Sequence, residues 1–355
     1  MESFLFLHSD PPWVYALAER LAERYPVHAT QFCDWRIYFE HRPSWPSDES
    51  PDKMRRTLRA LPTGYAGRLE WLARPFMRWM IRGWQEGLID RSGTKPWIVV
   101  NYPYAEPWVR SFDSNRLIYY NLDDYTLYRP DRASRTQRLE DRLVANAHRT
   151  LCLSTHQVQQ LRDRHPARTE RIVHFPLGVV EDALNPRPRQ FPDPDTVGYV
   201  GNLTDRVDWA LVDRVAERCP ELTFLFYGGI EEGKTKSEWQ ERRQHVFARS
   251  NVIHCGRIPQ KEVPERYWSF AVTWIPYNVD HPFNRASCPT KIMDGLASGR
   301  PVVSTSIPEC QNYPEWIDLA DTPEEMEKSI RQRMASHSPQ DAAAQVAFAR
   351  QHRWA

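Results

Sequence analysis

No CxxC pair occurs among the six cysteines, which stand apart at Cys33, Cys152, Cys219, Cys255, Cys288 and Cys310. That spacing excludes a thiolate zinc knot and a dense disulfide framework, and reduced thiols in a cytosol are expected. No run of about 18 apolar residues is present, so no transmembrane helix is expected. The opening stretch Met1 to Asp10 has no basic lead and only the short apolar run Phe4 to Leu7, which suits neither a signal peptide nor an anchor. An excess of one charge is missing too. With 47 basic and 46 acidic side chains the net charge is +1, unlike a chain whose task is to coat nucleic acid. There is no GxGxxG fingerprint, which weakens a dinucleotide reading. No Asp-x-Asp motif stands where it suggests an obligatory metal. A cytoplasmic protein is the expectation.

What is present is a chain of 355 residues, 41% apolar, long enough for two domains. Apolar runs alternate with helical periodicity. Strands are expected at Phe4–Leu7, Ile98–Asn101, Leu117–Asn121 and Thr150–Ser154, with helices between or after them. Leu184 to Thr196 (LNPRPRQFPDPDT) is dense in proline, which stops both helix and central strand, and is expected to be a linker, 184–196. A second series follows, with strands near Val197–Val200, Thr223–Tyr227, Val252–His254, Ala271–Pro276 and Pro301–Thr305. Thr322-Pro-Glu-Glu325 reads as a helix start. This alternation predicts an α/β protein with two Rossmann-like domains facing each other, each with a parallel sheet. The expected domains are 1–183 and 197–338, with a last helix over 339–355 returning toward the first. One stretch, about 41–95, breaks the pattern: from Lys53 to Lys95 there are ten basic and three acidic residues among Trp71, Phe76, Trp79, Ile81 and Trp84. It reads either as an irregular helical insertion with a solvated basic face or as a surface for an anionic membrane.

The residues that carry chemistry cluster in the second half. Cys288-Pro-Thr290-Lys291-Ile-Met-Asp294 opens a helix, and Gly299 turns it into a buried strand. Ligands of parallel α/β sheets bind beyond the carboxyl ends of the strands, where helix N-termini offer unpaired N–H groups to phosphate. Thr290 and Lys291 fall in the first turn, and Lys291 adds a point charge. Asp294, one turn on, suits hydrogen bonds from ribose hydroxyls. Gly201-Asn202 is the matching turn after the first strand of this half, which taken alone reads as an ordinary strand-to-helix turn, and Arg206 can meet a pyrophosphate bidentately. In the first half, Asp123 and Asp124 follow a strand and are general-base candidates, against the alternative that they hold a loop. His8, Ser9 and Asp10 end the first strand on the same edge.

The run CPTKIMDGLASGRPVVSTSIPE, preceded by FAVTWIPYN and NVIHCGRIPQKEVPERY, resembles the donor domain of GT-B glycosyltransferases. It is similar above all to the family-4-like group and to bacterial exopolysaccharide glucuronosyltransferases with a Lys-x-x-acid/amide motif. The likeness runs from about Thr196 to Glu309 and is looser before it. It implies a UDP- or GDP-sugar held by the C-terminal domain, with acceptor and base from the N-terminal one and no obligatory cofactor. On that resemblance Lys291 contacts phosphate, Asp294 the ribose and Ile258 the base. Tyr277 and Asn284 approach the sugar or diphosphate, and Glu309 bonds the donor or orients its loop. The implied acceptor is a glycan, a lipid-linked species or a small hydroxyl compound, and the implied setting is polysaccharide assembly at the inner membrane face. Many family-4 enzymes carry two glutamates eight positions apart; here those positions hold Ala286 and Asp294. Two alternatives stay open: a nucleotide-sugar 2-epimerase on the same scaffold, and an inactive binding module.

Overall fold

In the computed structural model, residues 1–352 are described apart from 41–42, 46–49, 66, 68, 180, 185–192 and 231–236. The chain forms two compact units, one from Met1 to Pro176 and a second beginning at Leu177. Residues 185–192, the middle of the expected linker, lie outside the described residues. On one side of them Glu181–Leu184 is helical, and on the other the first strand of the second unit starts at Thr196.

The first unit holds strands β1 (Phe4–Leu7), β2 (Val27–Asp34), β3 (Met54–Leu61), β4 (Trp97–Val100), β5 (Leu117–Asn121), β6 (Arg149–Cys152) and β7 (Ile172–His174). They form one parallel sheet in the order β3-β2-β1-β4-β5-β6-β7. Short β-branched and aromatic runs suit strands buried on both faces, and Leu5, Ile98, Val100 and Tyr119 are almost wholly inaccessible. Trp108 and Leu143 come from the covering helices to complete this core.

Three strands here, β2, β3 and β7, were not foreseen, and one expectation is overturned. β2, VHATQFCD, alternates no apolar face, yet it is buried along nearly its whole length. His28 there shares a hydrogen bond of 2.8 Å with Thr57 of β3. The expected helical insertion begins instead with β3, MRRTLRAL, at the sheet edge. Its arginines are the kind of charge that keeps an edge strand from pairing with another chain. Only after β3 does the long helix Glu70–Ser92 run, closed by Gly93.

The second unit has β8 (Thr196–Val200), β9 (Thr223–Tyr227), β10 (Val252–Gly256), β11 (Val272–Ile275), β12 (Val302–Ser304) and β13 (Ile317–Leu319). All are parallel, in the order β10-β9-β8-β11-β12-β13. Phe224, Phe226 and Trp274 fill the sheet's centre with Ile292 and Leu296 from the helix Thr290–Ala297. Thr322 and Glu325 form the reciprocal cap read from the sequence, each side chain taking the other's backbone N–H at 3.2 and 3.1 Å. The helix Pro339–Gln351 packs against this unit, where Phe348 stacks on Trp316 at 4.8 Å.

Candidate functional site

In the second sheet the chain leaves β8 toward β9 on one side, and β11 lies on the other. This reversal of direction opens a crevice at the carboxyl ends of the strands, the place where open α/β sheets bind ligands. Two glycines shape it. Gly201, just after β8, has φ 153°, and a Cβ there would stand 2.6 Å from Cε and Nζ of Lys291. A Cβ on Gly228, after β9, would stand 1.8 Å from the carbonyl oxygen of Gly201. Backbone cannot yield at that distance as a side chain can. Gly228→Ala is therefore expected to cost about 2 kcal/mol or more in stability, read as a lowered midpoint of urea unfolding; an unchanged midpoint would contradict the close approach.

Lys291 sits at the second position of the helix Thr290–Ala297, only 8% exposed. Its ammonium donates to the Tyr277 hydroxyl at 2.9 Å and lies 5.1 Å from the ring centre of Tyr199 and 5.3 Å from that of Tyr277. The Arg206 guanidinium also lies near Tyr277, 5.2 Å from the ring centre. Arg206 is aimed by Nε to Asn284 Oδ1 and by Nη2 to Ser287 Oγ, both at 2.9 Å. Asn284, fully buried, returns hydrogen bonds of 2.8 Å to the carbonyls of Arg206 and Asn278. Burial would raise the Tyr277 phenol, but the charges of Lys291 and Arg206 outweigh it and hold the phenol below its usual range. Burial lifts the Asp294 carboxyl to about 6, against the opposing pull of Lys291 and a hydrogen bond from Thr290.

Gly201, Arg206, Tyr277, Asn284 and Lys291 are thus joined by direct contacts, and Thr290 with Asp294 continues the same helix turn. Asn202 contributes its carbonyl, which accepts from the Tyr199 hydroxyl at 3.0 Å. Ile258 is half-buried just beyond β10 and is not joined to this network by any described contact. Glu309 is buried and starts the short helical turn Cys310–Asn312; its charge helps burial raise the Cys288 thiol. Ala286 is buried at the end of the helix Pro282–Ala286. Tyr199 went unnoticed in the sequence because the third residue of an apolar strand reads as core.

In the first unit Asp123 and Asp124 are engaged within their own turn. Asp123 accepts from the Asp124 amide at 2.9 Å and from the Tyr128 hydroxyl at 2.8 Å. Asp124 accepts from the amide and hydroxyl of Thr126 at 3.0 and 2.5 Å. His8, at the end of β1, adopts the left-handed φ of 65°, rare for a non-glycine residue. Its ring stacks on Trp108 and contacts Phe32 and Tyr102, neither ring nitrogen has a hydrogen-bond partner among the described residues, and burial lowers its pKa to about 4. In front of Tyr102 lies a cavity of about 600 Å³ walled by Tyr65, Tyr102, Tyr104, Thr63, Arg129 and Arg132. Among the described residues no three His, Cys, Asp or Glu side chains gather as metal ligands, and no helix is long and apolar enough to cross a membrane.

Residues 206–355 match the model of a family described as glycosyl transferase-like. TuaH of Bacillus subtilis (strain 168), named for a glycosyltransferase role in teichuronic acid biosynthesis, is 27% identical over 177 residues. The shared segment is 48% of this chain and 43% of TuaH, so the chain spans under half of that relative's length. Among solved structures, HepE of Anabaena in complex with UDP and glucose has a TM-score of 0.68 at 16% identity, covering 99% of this chain and 95% of its own. Sucrose-phosphate synthase of Thermosynechococcus elongatus has a TM-score of 0.66 at 18% identity, covering 99% and 98%. These two likenesses establish the fold: a pair of parallel-sheet Rossmann-like units. The family model over residues 206–355 and the relative point the same way: the chain has the two-unit fold of GT-B enzymes, and its second half is similar to glycosyltransferases.

Proposed function

We propose that the protein transfers a sugar from a UDP-linked donor to a hydroxyl of a glycan or lipid-linked acceptor in surface-polysaccharide assembly. The observation that carries this reading is the buried Lys291 ammonium, held beside Arg206 at the carboxyl edge of the second sheet. Two cations aimed by neutral partners form a seat for a diphosphate, and they meet the charge that builds on the leaving group as the glycosidic bond breaks. Asp294 is then the ribose contact, and Ile258 and its neighbours border the base. Tyr277 and Asn284 stay beside the sugar or diphosphate in this reading, and each also positions a cation. The phenol holds Lys291, and the amide holds Arg206. Glu309 stays a donor-side contact or loop support in this reading.

The first unit supplies the acceptor side, with the tyrosine-walled cavity as its seat. Aromatic faces pack on the apolar faces of sugars while phenol tips bond their hydroxyls. Asp124, or Asp123, is the proposed base that takes the acceptor proton. The anionic membrane contact belongs to the same reading, as the place where a lipid-linked acceptor is met.

UDP release from a panel of UDP-sugars, with and without acceptor lipids, tests the reading; a protein that neither binds UDP nor releases it would sink it. Asp124→Asn is expected to lower turnover by about a hundredfold while the UDP dissociation constant stays within twofold of wild type. Asp123→Asn is the parallel comparison. If both variants turn over normally, the base lies elsewhere.

A further inference from the structure

Among the described residues, eight of the twelve large apolar side chains left exposed fall within two short stretches of the first unit. The first stretch is the helix Trp35–Glu40, directly after β2, where Trp35, Ile37 and Phe39 face solvent and Phe39 is 81% exposed. The second is the start of the helix Glu70–Ser92. There Leu69, Leu72, Phe76 and Trp79 succeed one another at spacings of three and four, which places them on one stripe. Trp71, 65% exposed, stands apart from that stripe on the same turns. Met77, Met80, Ile81 and Leu88 form a separate stripe that enters the core. The helix is therefore apolar on two faces, and only one is covered. Beyond Trp79 the outward stripe continues as Gly83, Glu86 and Asp90, so its apolar character is confined to the first turns.

The two stretches are linked through a short chain of contacts. Asp34, the last residue of β2, accepts from the Thr63 hydroxyl at 2.8 Å, and the carbonyl of Gly64 accepts the Leu69 amide at 3.0 Å. Cations border the patch. Arg74 and Arg110 are paired with Glu70 and Glu106, whereas Arg78 and Arg82 have no carboxylate partner among the described residues. The Arg78 guanidinium is crowded by those of Arg74, Arg110 and Arg82. With Arg74 and Arg110 already paired, Arg78 and Arg82 carry the excess positive charge, which counter-anions relieve. A second copy of this chain docked face to face would bring two such clusters together. A lipid surface with negative headgroups relieves the repulsion, and Trp beside Arg is the composition that favours the interface between headgroups and acyl chains.

We propose that this face docks on an anionic bilayer, with the side chains of the two stretches entering the headgroup–acyl boundary and Arg78 and Arg82 meeting lipid phosphates. The surface stands on its own observations; its purpose, reaching a lipid-linked acceptor, rests on the glycosyl-transfer reading. Flotation of the full chain is the test, with vesicles of phosphatidylcholine alone or with about a third phosphatidylglycerol. The wild type is expected to float with the anionic vesicles at least tenfold more than with the neutral ones. A Phe76→Ser/Trp79→Ser variant, at exposed positions and checked for fold by circular dichroism, is expected to lose at least tenfold of that binding. Arg82→Glu is expected to lose several-fold. A wild type indifferent to anionic lipid, or variants that float like it, would overturn the proposal. So would a wild-type dimer that the Phe76/Trp79 variant dissociates without any vesicle binding, which marks a self-association face instead. UDP binding measured in parallel separates the two ideas: vesicle binding without UDP binding leaves the surface standing and removes the transfer reading.

Discussion

Lys291→Ala is expected to weaken UDP binding by about tenfold to a hundredfold while leaving the unliganded protein as stable as before or more so. The first half of that expectation follows from the strength of a charge-assisted hydrogen bond to a diphosphate, roughly 1.5–3 kcal/mol. The second half follows from the state of the ammonium without ligand. Lys291 is buried, and among the described residues its donors reach only the Tyr277 hydroxyl. An ammonium carries three donors. The two aromatic faces at 5.1 and 5.3 Å soften the loss of water but do not replace hydrogen bonds. A structural lysine would be hydrogen-bonded to a carboxylate, and removing it would destabilise the fold; Asp294 feels Lys291 through its charge, without a hydrogen bond. A lysine kept for an incoming anion gives the opposite pair of effects. Isothermal titration with UDP and urea unfolding of the apo protein measure the two halves separately. Unchanged affinity would take Lys291 out of the site, and a marked loss of stability with intact binding would make it a structural residue.

The apolar runs that became β1, β4, β5, β8, β9, β11 and β12 were legible because strands buried on both faces leave a nearly continuous hydrophobic signature. β2 was not, since His28, Thr30 and Gln31 are buried by long-range pairing that no local pattern announces. β3 was hidden by its arginines, which mark an exposed edge and look like a solvated helix when counted as charge. The grouping of the candidate donor-site residues was readable as far as it is local: Lys291 and Asp294 on one helix, Gly201 after one strand. What could not be read is what lies across the sheet. The contact between Gly228 and the Gly201 carbonyl joins two turns separated by a whole helix and strand, and Tyr199 meets Lys291 from a distant part of the chain. The Asp123–Asp124 pair shows the reverse. Its side chains bond within five residues, so the loop-holding alternative was present in the spacing itself. The basic aromatic stretch was visible as composition, but only the fold separates the buried stripe of Met77 and Ile81 from the exposed stripe of Phe76 and Trp79.

Asp294→Asn is expected to stabilise the unliganded protein at pH 7 and to weaken its hold on a UDP-sugar. The carboxyl is raised to about 6 in the folded chain from 3.8, chiefly by burial. A raised acid keeps its proton in the folded state at a pH where the unfolded chain has lost it. Its favourable contribution is therefore complete below about pH 4 and is lost as pH climbs through about 6. Above that, ionising the half-buried group costs on the order of 2–3 kcal/mol. An asparagine has no such charge, though its half-buried amide takes back part of the gain, so a net gain of about 1–2 kcal/mol is expected at pH 7 and none at pH 4. Binding should move in the other direction. Ribose hydroxyls donating to the carboxylate favour its charged form, so the affinity of wild type for a UDP-sugar should rise as pH passes 6. A nucleotide sugar is the right probe because its diphosphate diester does not titrate in that range. The variant should show weaker binding without this rise. Removing Lys291 as well should raise the Asp294 carboxyl further, since that ammonium now opposes the effect of burial; the two substitutions are then non-additive in stability at pH 7. Thermal midpoints of wild type and variant from pH 4 to 8, beside titrations with the UDP-sugar, decide it. Parallel stability profiles for the two proteins would show that Asp294 does not carry the strain, and an unaltered affinity would show that it does not touch the ribose.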